Sequence, residues 1–148
     1  MKNRDLDEAR VMKLFPTYVG TYFWPECPRQ NPDLQRRILE AAESKEGVRV
    51  SNRGGWHSSY DFSHWSGEAG SRLKKFAVTA ADHATGAVMQ DRGRHQWKVD
   101  MWANVNGRGD FNAAHNHPAS TWSAVYYVDA GEDVEDRSDS GLLILHNP

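Results

Sequence analysis

The spacing of apolar positions changes near Gly93, and the change separates a helical half of the chain from a strand-rich half. Beyond it, Trp97, Val99, Met101, Ala103 and Val105 fall at every second position, the period of a half-buried strand. Lys98, Asp100, Trp102, Asn104 and Asn106 then share the opposite, polar face. Asn106-Gly107 opens a turn, Gly109-Asp110 closes it, and a short strand leads into His115-Asn116-His117-Pro118. Residues 121–129, TWSAVYYVD, predict a second clear strand with Ser123, Val125 and Tyr127 on one face. An acidic loop over 130–140 follows, and residues 141–145 predict a last apolar strand.

Before Gly93 the spacing is different. Residues 11–24 are rich in β-branched and aromatic types and read as a strand interrupted at Pro16. Asn31 predicts a helix N-cap, with Pro32 at the first helical position and Asp33 behind it. Leu34, Ile38 and Ala41 or Ala42 share a face, and Gly47 is the expected stop. A second helix is predicted over 68–89, with Leu73, Phe76, Ala77, Ala80, Ala84 and Val88 inward and Lys74, Lys75 and Asp82 outward. Between the helices, residues 51–60 form a polar, Gly-bearing segment around Trp56 and His57. The expected class is α+β, with helices against one end or face of an antiparallel sheet.

Composition narrows the setting. A length of 148 residues suits one domain, expected to span 1–148, with a helical part over 1–93 and a strand core over 94–148. A net charge of −2 supplies no basic field, so neither nucleic acid nor an anionic membrane is an expected partner. Cys27 is the sole cysteine, so no internal disulfide can staple the fold. The first ten residues are charged where a signal peptide would be apolar, and no apolar run reaches transmembrane length. The expected location is cytoplasmic.

The chemistry centres on His115 and His117. Residues i and i+2 of a strand project to the same side, so both imidazoles can reach one transition metal, and neutral imidazole suits Fe, Zn, Cu and Ni. In a chain with seven His the triplet alone is weak evidence, and its context adds weight. It follows a strand and a Gly-bearing turn and precedes another strand, the setting of a metal loop in a jelly roll. Gly109 and the His pair also fit the first half of a cupin pattern, but Thr121 and Trp122 stand where its glutamate is expected.

Trp102, Asn104, Gly109-Asp110-Phe111-Asn112, His115-x-His117-Pro118 and Ser123-Ala124-Val125-Tyr126-Tyr127-Val128 together resemble a group of bacterial and phage iron(II)/2-oxoglutarate-dependent oxygenases, distantly prolyl-hydroxylase-like. The pieces LFPT at 14–17, GGWHSSYDF at 54–62 and SGLLILHNP at 140–148 agree in order. The resemblance implies a double-stranded β-helix (jelly-roll, cupin-like) with N-terminal helices packed on one sheet. It also implies Fe(II) as cofactor, 2-oxoglutarate as co-substrate, and hydroxylation of a small molecule or peptide. His115 and His117 would be the metal-binding and catalytic residues, with His117 where the family's motif has a carboxylate. That exchange leaves the site one positive charge higher. Tyr127 would bind the distal carboxylate of 2-oxoglutarate and Asn104 the carboxylate nearer the iron. Trp56, His57 and Ser58 are candidate substrate contacts at the cavity mouth.

The family's third metal ligand and basic 2-oxoglutarate residue are expected beyond Leu145, whereas the sequence stops at Pro148, so the C-terminal half of the barrel is expected to be missing. Truncation, completion by a second copy in a homodimer, and a degenerate relative are the three explanations. Two other functions stay open: a cupin-like metal-binding protein with an all-His site and no 2-oxoglutarate dependence, and a non-catalytic jelly-roll module used for binding or assembly.

Overall fold

A computed structural model of the chain describes residues 17–90, 93, 95–131 and 141–146. Its elements in chain order are α1 (Cys27–Ser44), β1 (Asn52–Arg53), β2 (Trp56–His57), α2 (Phe62–Trp65), α3 (Gly67–Met89), β3 (Asn104–Val105) and β4 (Phe111–Asn112). The architecture is mixed, helices with two small antiparallel sheets, β1 with β4 and β2 with β3. No closed barrel forms among the described residues, so the expected double-stranded β-helix is not seen there.

Helix α1 begins four residues before the predicted N-cap. Pro28 sits in its first turn, where no backbone N–H is needed, and Pro32 falls inside the helix. Asn31 therefore does not cap. Its side chain donates to the Val128 carbonyl at 3.0 Å and accepts the Tyr126 hydroxyl at 2.6 Å, tying the helix to the chain about a hundred residues on. Leu34, Ile38 and Ala41 form the buried stripe. On the other face Asp33 meets Arg36 and Arg37, and Arg36 meets Glu40. The helix ends at Ser44, before Gly47, where Lys45 turns extended and its N–H returns to the Ala41 carbonyl.

Helix α3 matches its predicted span to one residue. Ala69, Gly70 and Leu73 are buried, and Phe76 stacks on Trp24 with ring centroids 6.0 Å apart. Trp24, Leu34, Ile38, Phe62, Ala69, Leu73 and Ala103 make the core. Complete burial of a leucine such as Leu34 contributes about 2 kcal/mol. Residues 17–24 carry no regular structure in place of the expected strand, whose first part, 11–16, lies outside the described residues.

Over 97–105 the predicted alternation holds in burial: Trp97, Val99, Met101, Ala103 and Val105 are covered while Lys98, Asp100 and Asn104 are exposed. Only Asn104–Val105 pairs as a strand. The turn over 106–110 also forms, with the Asp110 N–H on the Gly107 carbonyl at 3.1 Å. It does not close a hairpin. Both flanking strands pair with residues 52–57 instead, in the register Trp56↔Val105, His57↔Asn104, Asn52↔Asn112 and Arg53↔Phe111. The result is one interrupted antiparallel ladder in which Gly54 and Gly55 face the five residues 106–110.

Both glycines have positive φ, +72° and +61°. A Cβ on Gly55 would lie 2.7 Å from the Val105 carbonyl oxygen, so only glycine fits this crossing. Backbone bonds from Ser58 N to Ala103 O (2.9 Å) and from Ala113 N to Ser51 O (2.8 Å) extend the ladder at each end.

Residues 121–129 run without strand pairing, and the inward face is Trp122, Tyr126 and Val128, while Ser123, Val125 and Tyr127 are exposed. Trp122 donates to the buried Thr85 hydroxyl of α3 at 2.9 Å. Residues 142–145 do not form the expected last strand, and their side chains are exposed. The acidic loop over 132–140 lies outside the described residues. No described helix is long and apolar enough to cross a membrane.

Candidate active site

The ladder delivers His115 and His117 to the wall of a cavity of about 400 Å³. Its end at Ala113 fixes where the loop 113–118 departs, and the residues of this loop line the cavity. Arg53 on β1, His57 on β2, Tyr60 and Trp102 line it as well. No acidic residue lines the cavity among the described residues.

The two imidazoles meet edge to face, ring centroids 4.8 Å apart and planes at 75°. Nδ1 of His115 lies 2.8 Å from the Ala113 carbonyl, which can only accept, so Nδ1 donates, and in the neutral tautomer this selects, Nε2 carries the lone pair. A metal bound at about 2.1 Å would stand about 3.2 Å from each ring centroid, and ligand angles of about 90–110° would separate the centroids by about 4.5–5.3 Å. The observed 4.8 Å falls inside that window. The separation is compatible with two imidazoles on one metal. The described residues bring no third His, Cys, Asp or Glu into range.

His57 is 2 % exposed, and its Nδ1–H donates to the Ser58 carbonyl at 2.5 Å. Its ring stacks on Trp102 at 5.9 Å with planes 10° apart, and Trp102 in turn meets His117 at 5.7 Å. Trp102 thus stands between His57 and the His pair. Its half-burial on the otherwise polar face of the 97–105 segment marks where the cavity lies.

The other candidates fall elsewhere. Trp56 donates to the Lys45 carbonyl at 3.0 Å and packs on Trp65, outside the cavity. The Ser58 hydroxyl accepts the Ala103 N–H at 3.0 Å and donates to the Ser59 carbonyl, a ladder role. Asn104 is exposed opposite His57, and Tyr127 is 45 % exposed; neither lines the cavity. The inward tyrosine is Tyr126, whose phenol burial pushes up from its ordinary value. Arg53 and Tyr60 are cavity residues without a local sequence signal. Only the pairing of β1 with β4, across nearly sixty residues, brings Arg53 to the His pair.

A family model described as "Putative 2OG-Fe(II) oxygenase" matches residues 100–145. The matched segment includes β3, β4, both cavity imidazoles and residues 121–129, and over these residues the chain is similar to that family. No curated protein and no solved structure matches the chain.

Proposed function

We propose that this chain works as an Fe(II)- and 2-oxoglutarate-dependent oxygenase, a hydroxylase of a small molecule or peptide, on a double-stranded β-helix scaffold. The observation that carries the reading is the His115–His117 pair, spaced for one metal at a cavity wall inside the segment that matches the oxygenase family. When bound there, iron supplies O₂ activation coupled to decarboxylation of 2-oxoglutarate.

The chain's own residues do the rest. His115 presents Nε2 because its other nitrogen is held by the Ala113 carbonyl, and His117 is oriented by the face of Trp102. His57, with Nδ1–H fixed on Ser58, offers an Nε2 lone pair that can accept a hydrogen bond from a substrate hydroxyl or amide. Tyr127 and Asn104 do not line this cavity, so we assign them no part in it.

That placement favours a second reading, a metal site of His ligands without 2-oxoglutarate dependence. Succinate formation separates the two. Protein supplied with Fe(II), O₂ and 2-oxoglutarate should form succinate, and His115→Ala and His117→Ala should each reduce it at least a hundredfold. Succinate formation unchanged in both variants would overturn the proposal, and metal binding without any succinate would favour the second reading.

A further inference from the structure

The charges around the cavity point to the class of molecule that enters it. Arg53 is exposed at the cavity wall, and its Nη1 donates to the carbonyls of its own strand, Ser51 at 3.3 Å and Asn52 at 3.0 Å. These bonds use Nη1, and Nε and Nη2 have no partner among the described residues. Arg53 forms no ion pair among the described residues. Asp110, the carboxylate that lies against Gly54, already accepts the Gly107 N–H at 2.8 Å.

A guanidinium and three imidazoles therefore line one cavity, and no carboxylate lines it among the described residues. A divalent metal on the His pair would add two further positive charges, with none of the compensation that a ligating carboxylate gives. A pocket of this sign concentrates anions. The free Nε–H and Nη2–H form a fork that matches the two oxygens of a carboxylate. Aromatic rings line the cavity too: Tyr60 and Trp102 meet edge to face at 5.3 Å, and Trp102 lies parallel to His57. The volume of about 400 Å³ suits a small molecule rather than a folded partner.

We propose that Arg53 anchors the carboxylate of a small organic acid substrate whose flat, apolar body lies against Trp102 and Tyr60. The proposal rests on this cavity being the catalytic one and names the substrate class for it. A carboxylate could also come from 2-oxoglutarate, but that molecule has no flat apolar body to use the ring wall.

Metal-free protein titrated with phenylacetate, its neutral counterpart phenylacetamide, and 2-oxoglutarate tests this, read from the indole N–H resonance of Trp102. Phenylacetate should bind about tenfold tighter than phenylacetamide and tighter than 2-oxoglutarate. Arg53→Gln should erase the preference for the acid, and Arg53→Lys should restore part of it. Equal binding of acid and amide, or a preference that survives Arg53→Gln, would overturn the proposal. Tighter binding of 2-oxoglutarate than of phenylacetate would also overturn it, because the anchored carboxylate would then belong to the co-substrate. The preference should persist in the His115→Ala/His117→Ala double variant. A wild-type protein that keeps the preference but binds no Fe(II) would count against the metal reading alone.

Discussion

At the scale of single residues, neighbours with similar chemistry take opposite roles, and long-range partners decide which. Tyr126 and Tyr127 alternate as a strand pattern requires, but the pattern does not say which face turns inward. Asn31 on α1 and the ring of Trp24 settle it, since Tyr126 bonds the one and meets the other at 5.6 Å. Tyr126→Phe should cost about 1 kcal/mol in urea unfolding, whereas Tyr127→Phe should leave stability within about 0.5 kcal/mol. Equal effects would contradict this packing.

The His pair was legible in the sequence because two residues in i, i+2 spacing stay together even where the chain leaves the ladder at Ala113. Arg53 was not, since nothing local distinguishes it from any exposed arginine. Asp33 carries a separate consequence. Hydrogen bonds from Arg37, and then Arg36, hold its carboxyl below its ordinary 3.8. The folded state thus favours the ionised form, so this contribution is present above about pH 4 and fades as pH falls further. Asp33→Asn should narrow the difference in urea midpoint between pH 7 and pH 3; an unchanged difference would contradict the pairing.

At the scale of elements, α3 was readable almost to its ends because its 23 residues sustain one apolar stripe. Helix α1 was readable in its body but not in its start, because Asn31 and Pro32 look like a cap and first position while Pro28 already occupies an earlier first turn. Pairing across the ladder was beyond local reading. The turn over 106–110 has hairpin chemistry, yet its flanks pair with β1 and β2, brought over them by two left-handed glycines. Gly55→Ala would drive a Cβ against the Val105 carbonyl at a positive φ. It should cost at least about 2 kcal/mol and shift the His57 resonances, while Gly109→Ala, whose Cβ meets nothing within 4 Å, should cost less. Equal losses for the two variants would mean that the crossing between β1 and β2 is not constrained as described.

Across the whole molecule, the helices and the inner face of 97–105 build the core, and the ladder carries the cavity on its other side. That division explains why the expected class, helices against antiparallel strands, holds in outline while the strands between Trp97 and Leu145 are shorter than their patterns suggest. Alternating burial persists over 97–105 through contact with the core even where ladder bonds are absent. The proposed function rests on this arrangement at one place, where the chain presents two imidazoles to a cavity that no acidic residue lines among the described residues. We propose that His115 and His117 hold one metal ion together. Anaerobic Fe(II) titration of the wild type and of the His115→Ala and His117→Ala variants tests it most directly. One equivalent bound by the wild type, with affinity reduced at least a hundredfold in each variant, is the expected result; undiminished binding in both variants would contradict the account.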